Sequence, residues 1–171
     1  HVVFGEAMAI LAGDALLNYA FETACKAFEL EPADQNVARA FAILAKKAGV
    51  NGMIGGQVVD VEMTGKQMSG DQLHFVYENK TGALIEASMM IGAVLAGATE
   101  DELKQVEMIA SDIGLAFQIQ DDLLDILGDS AVLGKPVCSD EENGKVTYVT
   151  VHGLEESKKD VAEISRRAVT R

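Results

Sequence analysis

The chain has 171 residues, and its 14 Lys+Arg against 27 Asp+Glu leave a formal charge of −13. That length supports one globular unit with a core of its own. The acidic field disfavours nucleic acid and anionic lipid and suits divalent cations. With 23 alanines, only 2 prolines, 5% aromatics and no tryptophan, the composition favours close-packed helices and excludes collagen-like or disordered chains. The longest uncharged stretch, Ala87 to Thr99, is too short to span a bilayer. Cys25 and Cys138 have no metal-ligand spacing and read as reduced thiols. Reduced thiols set the expectation of a cytoplasmic location, and no basic-then-apolar segment opens the sequence given.

In chain order, residues 4 to about 30 read as one long helix interrupted at Gly13 and ended by Pro32. Asp34 to Ala48 follows with Val37, Ala40, Phe41, Leu44 and Ala48 at helical spacing. Gly49, Gly52, Gly55 and Gly56 precede a short helix around Gln57 to Glu62. Ser69 with Gln72, then Thr99 with Glu102, carry the capping-box spacing and open helices to about Gly97 and to Leu127. Gly128 to Lys145 reads as irregular, and a last amphipathic helix runs from Leu154 to Arg171. The expectation is an all-α bundle forming a single domain over residues 1–171.

On the helix opened by Thr99, the residues Leu103, Val106, Ala110, Ile113, Phe117 and Leu124 follow the rhythm of a buried stripe. Gln118, Asp121, Asp122 and Asp125 form a second stripe at i, i+3, i+4 and i+7. Like charges on one face repel unless something neutralises them. Hard carboxylate oxygens suit Mg²⁺, which borrows its remaining ligands from water and phosphate. A solvated acidic face accounts for the spacing equally well. Lys80, on an apolar stripe beside Thr81, is either a structural ion pair or an anion ligand. Lys135 reads as a solvated loop lysine or as a second diphosphate ligand.

Several stretches occur together in one order. They are Val3-Phe4-Gly5-Glu6-Ala7 through Leu16, Gly55-Gly56-Gln57 with Asp60, and Lys80-Thr81-Gly82. Then come Phe117-Gln118 through Asp125, Leu133-Gly134-Lys135-Pro136, and Asn143-Gly144-Lys145 with Thr147-Tyr148. In this ordered set the sequence resembles the trans-isoprenyl diphosphate synthase family, above all bacterial farnesyl and geranylgeranyl diphosphate synthases. The resemblance implies a helical bundle of the isoprenoid synthase type around a central active-site cavity. It also implies a homodimer and a head-to-tail prenyl transferase acting on isopentenyl diphosphate and an allylic diphosphate. Mg²⁺, with Mn²⁺ as a substitute, is the implied cofactor. Asp121, Asp122 and Asp125 match the family's second aspartate-rich motif, Asp121 being the main ligand. Lys80 and Lys135 match the lysines on the leaving diphosphate, and Lys145 reads either as approaching the same group or as an exposed lysine. Thr81 and Gln118 match the residues facing the reacting carbons.

Gln57 and Asp60, one turn apart, either orient Lys80 or satisfy a helix end. Asp14 reads as a buried hydrogen-bonding group rather than a cavity-lining one, His74 and His152 as surface or satisfied histidines, and Met89-Met90 as bundle packing rather than a prenyl pocket. The family's first aspartate-rich motif lies before the residues matching His1-Val2-Val3-Phe4, so the sequence is expected to be the middle and rear of a longer enzyme. A geranylgeranyl product, a class I terpene cyclase and a non-catalytic partner subunit are the alternatives.

Overall fold

Two helix starts in this chain are closed by side chains in the places their spacing predicts. The computed structural model describes residues 1–128, 134 and 145–171. α1 spans Glu6–Leu30, α2 Gln35–Ala48 and α3 Met53–Met63. α4 covers Gly70–Val76 and runs through a π-helical turn, Tyr77–Gly82, into α5, Ala83–Leu95. α6 spans Glu100–Leu127, α7 Tyr148–His152 and α8 Leu154–Thr170. Ser69 and Gln72 exchange the two bonds of a capping box, at 2.9 and 3.2 Å, and Thr99 and Glu102 do so at 2.8 and 3.3 Å. The hydrogen bonds that Glu102 accepts from Thr99 hold its carboxyl below the usual range. No strand occurs among the described residues.

α6 is the central element, packed against α5, the π turn, α7 and α8. Its two opposed flanks both lie in the core. One cluster joins Leu73, Val76 and Tyr77 to Ala116, Ile119, Leu123, Val149 and Ile164; a second joins Ala40, Met90, Val94 and Leu103. Neighbours on both sides alter the expected single stripe. Ala110, Gly114, Ala116, Ile119 and Leu123 are buried, whereas Phe117 is 57% exposed and Ile113 38%.

Two ion clusters tie the helices together. Lys47 of α2 pairs with the buried Glu86 of α5 and, at 2.9 Å, with Glu107 of α6. Burial opposes the charge on Lys47, but the two glutamates outweigh it and raise its pKa. The buried Asp112 of α6 accepts two bonds from Arg167, at 2.6 and 3.1 Å, and pairs with Arg171 at 3.0 Å. That pairing raises the Arg167 pKa and fastens the end of α8 to α6. Neither cluster is visible in sequence, because partners 39 to 60 positions apart share no period.

Three expectations need correction. Gly13 does not interrupt α1, which is continuous; nothing near Gly13 demands its conformational freedom. Asp14 is exposed rather than buried, as α1 contains no buried residue at all. The helix expected from Ser69 is not uniformly α-helical, because the π turn lies inside it. The expected irregular stretch, with Cys138, falls mostly outside the described residues.

Two glycines let neighbouring helices press against that turn. A Cβ on Gly56 of α3 would lie 2.3 Å from the Lys80 backbone nitrogen, and one on Gly114 of α6 would lie 2.8 Å from the Cα of Gly82. Neither obstacle is a flexible side-chain end, so the helices would have to separate. Gly114→Ala should therefore destabilise the fold by about 1–3 kcal/mol, the usual cost of overpacking. Gly92→Ala, with open space around its Cβ, should be neutral or stabilising by up to about 1 kcal/mol. Urea midpoints of the two variants check the contrast.

Candidate active site

The π turn brings Lys80 and Thr81 to the mouth of a cavity. An α-helix carrying the Leu73, Val76 and Tyr77 stripe forward would bury positions 80, 84 and 87. The wider turn breaks that phase. Gly82, Ala83 and Glu86 become buried, Ala87 stays buried, Leu84 is 37% exposed, and Lys80 and Thr81 are half-buried. Such insertions inside α-helices recur at functional sites.

The cavity has a volume of about 410 Å³. Lys80, Thr81, Val76 and Tyr77 line one wall, and Phe117, Gln118, Asp121 and Asp122 of α6 line another. Asp60 of α3 and the segment Lys145, Val146, Thr147 complete it. Cationic and carboxylate groups thus share one concave surface. Lys80 donates to Asp60 Oδ2 at 2.5 Å, across a contact that Gly56 keeps close. Asp60 therefore pairs with Lys80 rather than merely closing the α3 terminus.

An apolar groove continues from this cavity. Lys80, Thr81 and Phe117 line both, and Leu84, Ile85, Ser88 and Met89 extend it along α5. The two methionines separate: Met90 is buried in the core as expected, whereas Met89 borders the groove.

Asp121, half-buried at the cavity wall, offers hard oxygen donors beside the lysines. Among the described residues no group of three or more His, Cys, Asp or Glu is gathered to hold a metal ion by itself. That donor set fits a cation that takes its other ligands from water and a bound phosphate. The four polar residues expected on one face of α6 are split. Gln118 and Asp121 are half-buried at the cavity, Asp122 is 6% exposed and hydrogen-bonded into the wall, and Asp125, 4% exposed, is not among the lining residues.

The model for the polyprenyl synthetase family matches residues 1–170. The chain belongs to the polyprenyl synthetase family. The farnesyl diphosphate synthase of Geobacillus stearothermophilus is 41% identical over 162 residues, covering 95% of this chain and 54% of that protein. The geranylgeranyl diphosphate synthase of Cyanophora paradoxa is 43% identical over 160 residues, covering 93% and 53%. The geranyltransferase of Helicobacter pylori, solved with magnesium and isoprenyl diphosphate, superposes with a TM-score of 0.85 at 30% identity, covering 98% of this chain and 54% of that one. The chain spans about half the length of the curated relatives it matches.

Of the site residues expected from sequence, the fold brings Lys80, Thr81, Gln118, Asp121, Asp122, Lys145 and Asp60 to one cavity. Gln57 is not brought there; it is exposed and lines a different, apolar groove on α3 with Met53, Ile54 and Val58. Lys135 lies outside the described residues. Sequence reasoning missed Tyr77, whose hydroxyl donates to Asp122, and gave Phe117 to the core although it faces the cavity. A tyrosine three positions before Lys80 carries no distinguishing signal, since an apolar stripe accepts it.

Tyr148, the first residue of α7, fixes the Lys145–Thr147 segment. Its hydroxyl donates to Asp160 Oδ2 at 2.8 Å and its ring stacks on His152 at 4.2 Å, so His152 is satisfied at the surface as expected. Burial, then the bond to Asp160, pushes the Tyr148 pKa up to about 12. The folded chain thus holds this proton more tightly than the unfolded chain, where tyrosine titrates near 10. Its contribution to stability is complete below about pH 10 and lost as the pH rises toward about 12. Thermal melts across that window should show a decline in Tm, and Tyr148→Phe should flatten the part due to this residue.

Proposed function

We propose that this chain provides the second carboxylate site of a short-chain trans-prenyltransferase. The enzyme condenses isopentenyl diphosphate with an allylic diphosphate, such as the dimethylallyl or geranyl compound, to give farnesyl or geranylgeranyl diphosphate. The observation that carries this reading is one cavity lined by Lys80, Thr81, Gln118, Asp121 and Lys145, opening into an apolar groove along α5. A diphosphate head and a prenyl tail need those two surfaces side by side.

In this reading Asp121 holds Mg²⁺, or Mn²⁺ in its place, with water and diphosphate oxygens as the other ligands. When bound, the ion neutralises charge on the diphosphate as the carbon–oxygen bond breaks. Lys80 and Lys145 bind the same diphosphate from two elements, and Lys135 belongs with them. Asp60 keeps the Lys80 ammonium in place by their ion pair. Thr81 and Gln118 turn hydroxyl and amide oxygens toward the allylic cation, and the face of the Phe117 ring adds its own negative potential. These groups stabilise positive charge without capturing it as a strong nucleophile would. The double bond of isopentenyl diphosphate then forms the new carbon–carbon bond, and a proton passes to the departing pyrophosphate. Water exclusion falls to the apolar wall made by Leu73, Val76 and Phe117.

We also infer a homodimer in the cytoplasm. The dimer is consistent with the apolar side chains that α1 leaves exposed, and the location with a strongly acidic, cysteine-poor composition. No described helix is long and apolar enough to cross a membrane.

In the full-length protein carrying this chain, Asp121→Ala should lower kcat by several orders of magnitude. A loss under about tenfold (about 1.4 kcal/mol of barrier) overturns the ligand assignment. Lys80→Ala should raise KM for the allylic diphosphate, and unchanged kinetics would return Lys80 to a purely structural pair with Asp60. Radiolabelled isopentenyl diphosphate with Mg²⁺ provides the assay, and chromatography of the product distinguishes farnesyl from geranylgeranyl. A cyclic product free of diphosphate would instead establish a terpene cyclase.

A further inference from the structure

The adjacent carboxylates of α6 are held differently. Asp122 is buried, and its Oδ2 accepts a hydrogen bond from the Tyr77 hydroxyl. The backbone N–H of Tyr148 donates to the same oxygen at 2.8 Å and to the Tyr77 hydroxyl oxygen at 3.0 Å. The three groups close a triangle that joins the π turn, α6 and the start of α7. A helix's first amide has no intrahelical acceptor. In α7 the Thr147 side chain takes the Thr150 amide, and the Tyr148 amide goes to Asp122.

The residues that precede this joint, Lys145, Val146 and Thr147, all line the cavity. Beyond it, the Tyr148 hydroxyl is anchored on Asp160. The cavity wall is thus fastened on one side through the Tyr148 side chain and on the other through its amide. We propose that Asp122 and Tyr77 are positioning residues, which seat the Lys145–Thr147 segment against the cavity so that Lys145 meets the diphosphate. In this role Asp122 acts through hydrogen bonds to Tyr77 and Tyr148 rather than as a direct cation ligand. The inference rests on the reading of the cavity as a diphosphate site.

The two roles make different chemical demands. A direct ligand needs the negative charge of a carboxylate, whereas the joint needs an acceptor oxygen, which an asparagine amide also provides. Inorganic pyrophosphate with Mg²⁺ is the probe, titrated into the full-length protein and its variants. Hydrogen exchange of the peptide containing Tyr148 is followed alongside. Tyr77→Phe and Asp122→Ala should raise the Kd for pyrophosphate by about three- to tenfold, the reach of one hydrogen bond's net contribution, and speed exchange at Tyr148. Asp122→Asn should stay within about threefold of wild type and keep the exchange protection. Asp121→Asn should lose far more affinity without disturbing Tyr148.

A loss in Asp122→Asn as large as in Asp121→Asn would overturn the inference, since charge and not geometry would then be needed. Faster exchange at Tyr148 in Tyr77→Phe with an unchanged Kd would also overturn it, leaving a joint with no bearing on the ligand. Tyr77→Phe keeps the ring in the core and serves if Asp122→Ala does not fold. Wild-type protein that fails to bind pyrophosphate would mark failure of the diphosphate reading itself, and the positioning role would fall with it. Wild-type binding with altered variants keeps the two questions apart.

Discussion

A single widened turn, Tyr77–Gly82, held between two close backbone contacts, is the constraint on which the cavity depends. A π turn spends the regular spacing of an α-helix and survives only where its surroundings hold it. Here Gly56 allows α3 to reach the Lys80 backbone, and Gly114 allows α6 to reach Gly82. With both approaches in place, the continuation of a buried stripe instead delivers Lys80 and Thr81 to a shared cavity. The same closeness sets Asp60 within bonding reach of Lys80. Packing and site chemistry therefore have one cause: the missing side chains of two glycines.

Charge is distributed to match. The chain carries −13 overall, and its core accepts carboxylates only where cations or hydrogen-bond donors meet them. Glu86 meets Lys47, Asp112 meets Arg167 and Arg171, and Asp122 meets Tyr77 and the Tyr148 amide. These pairs satisfy buried acids and join helices that are distant in sequence. The cavity wall is a different case, since Asp121, Lys80 and Lys145 are all left accessible at its surface. Charged groups at the surface of a cavity, one of them held there by the Lys80–Asp60 pair, suit a ligand that carries charge of its own.

Much of this was legible in the sequence because it is local. Ser69–Gln72 and Thr99–Glu102 state helix starts in four residues, and the ordered set from Gly55 to Tyr148 included Asp60, Lys80, Thr81, Gln118, Asp121, Asp122 and Lys145, which share the cavity. What was not legible is long-range. The exposure of Phe117 depends on α6 having neighbours on two sides, a condition that one helix's period does not encode. The short helix α7, hidden between Lys145 and the helix at Leu154, owes its first amide's partner to Asp122, 26 positions earlier. Gln57 and Asp60 look equivalent in sequence, yet one turn of α3 carries Asp60 to Lys80 and leaves Gln57 on an unrelated apolar groove.

The aspartate-rich run shows the same limit at its smallest scale. Consecutive residues on an α-helix point about 100° apart, so Asp121 and Asp122 cannot both face one ligand squarely. The helix must give the neighbouring acids different surroundings. It turns Asp121 to the cavity beside Gln118, three residues back, and sends Asp122 toward the π turn and α7. Of the aspartates in this run, Asp121 thus lies at the wall's surface and Asp122 in the bonds that support it. The support depends on donor–acceptor complementarity, because a donor from each of two elements converges on one oxygen there. Residue types repeated in a motif need not repeat a role, and on a helix their angular spacing is the first reason to separate them.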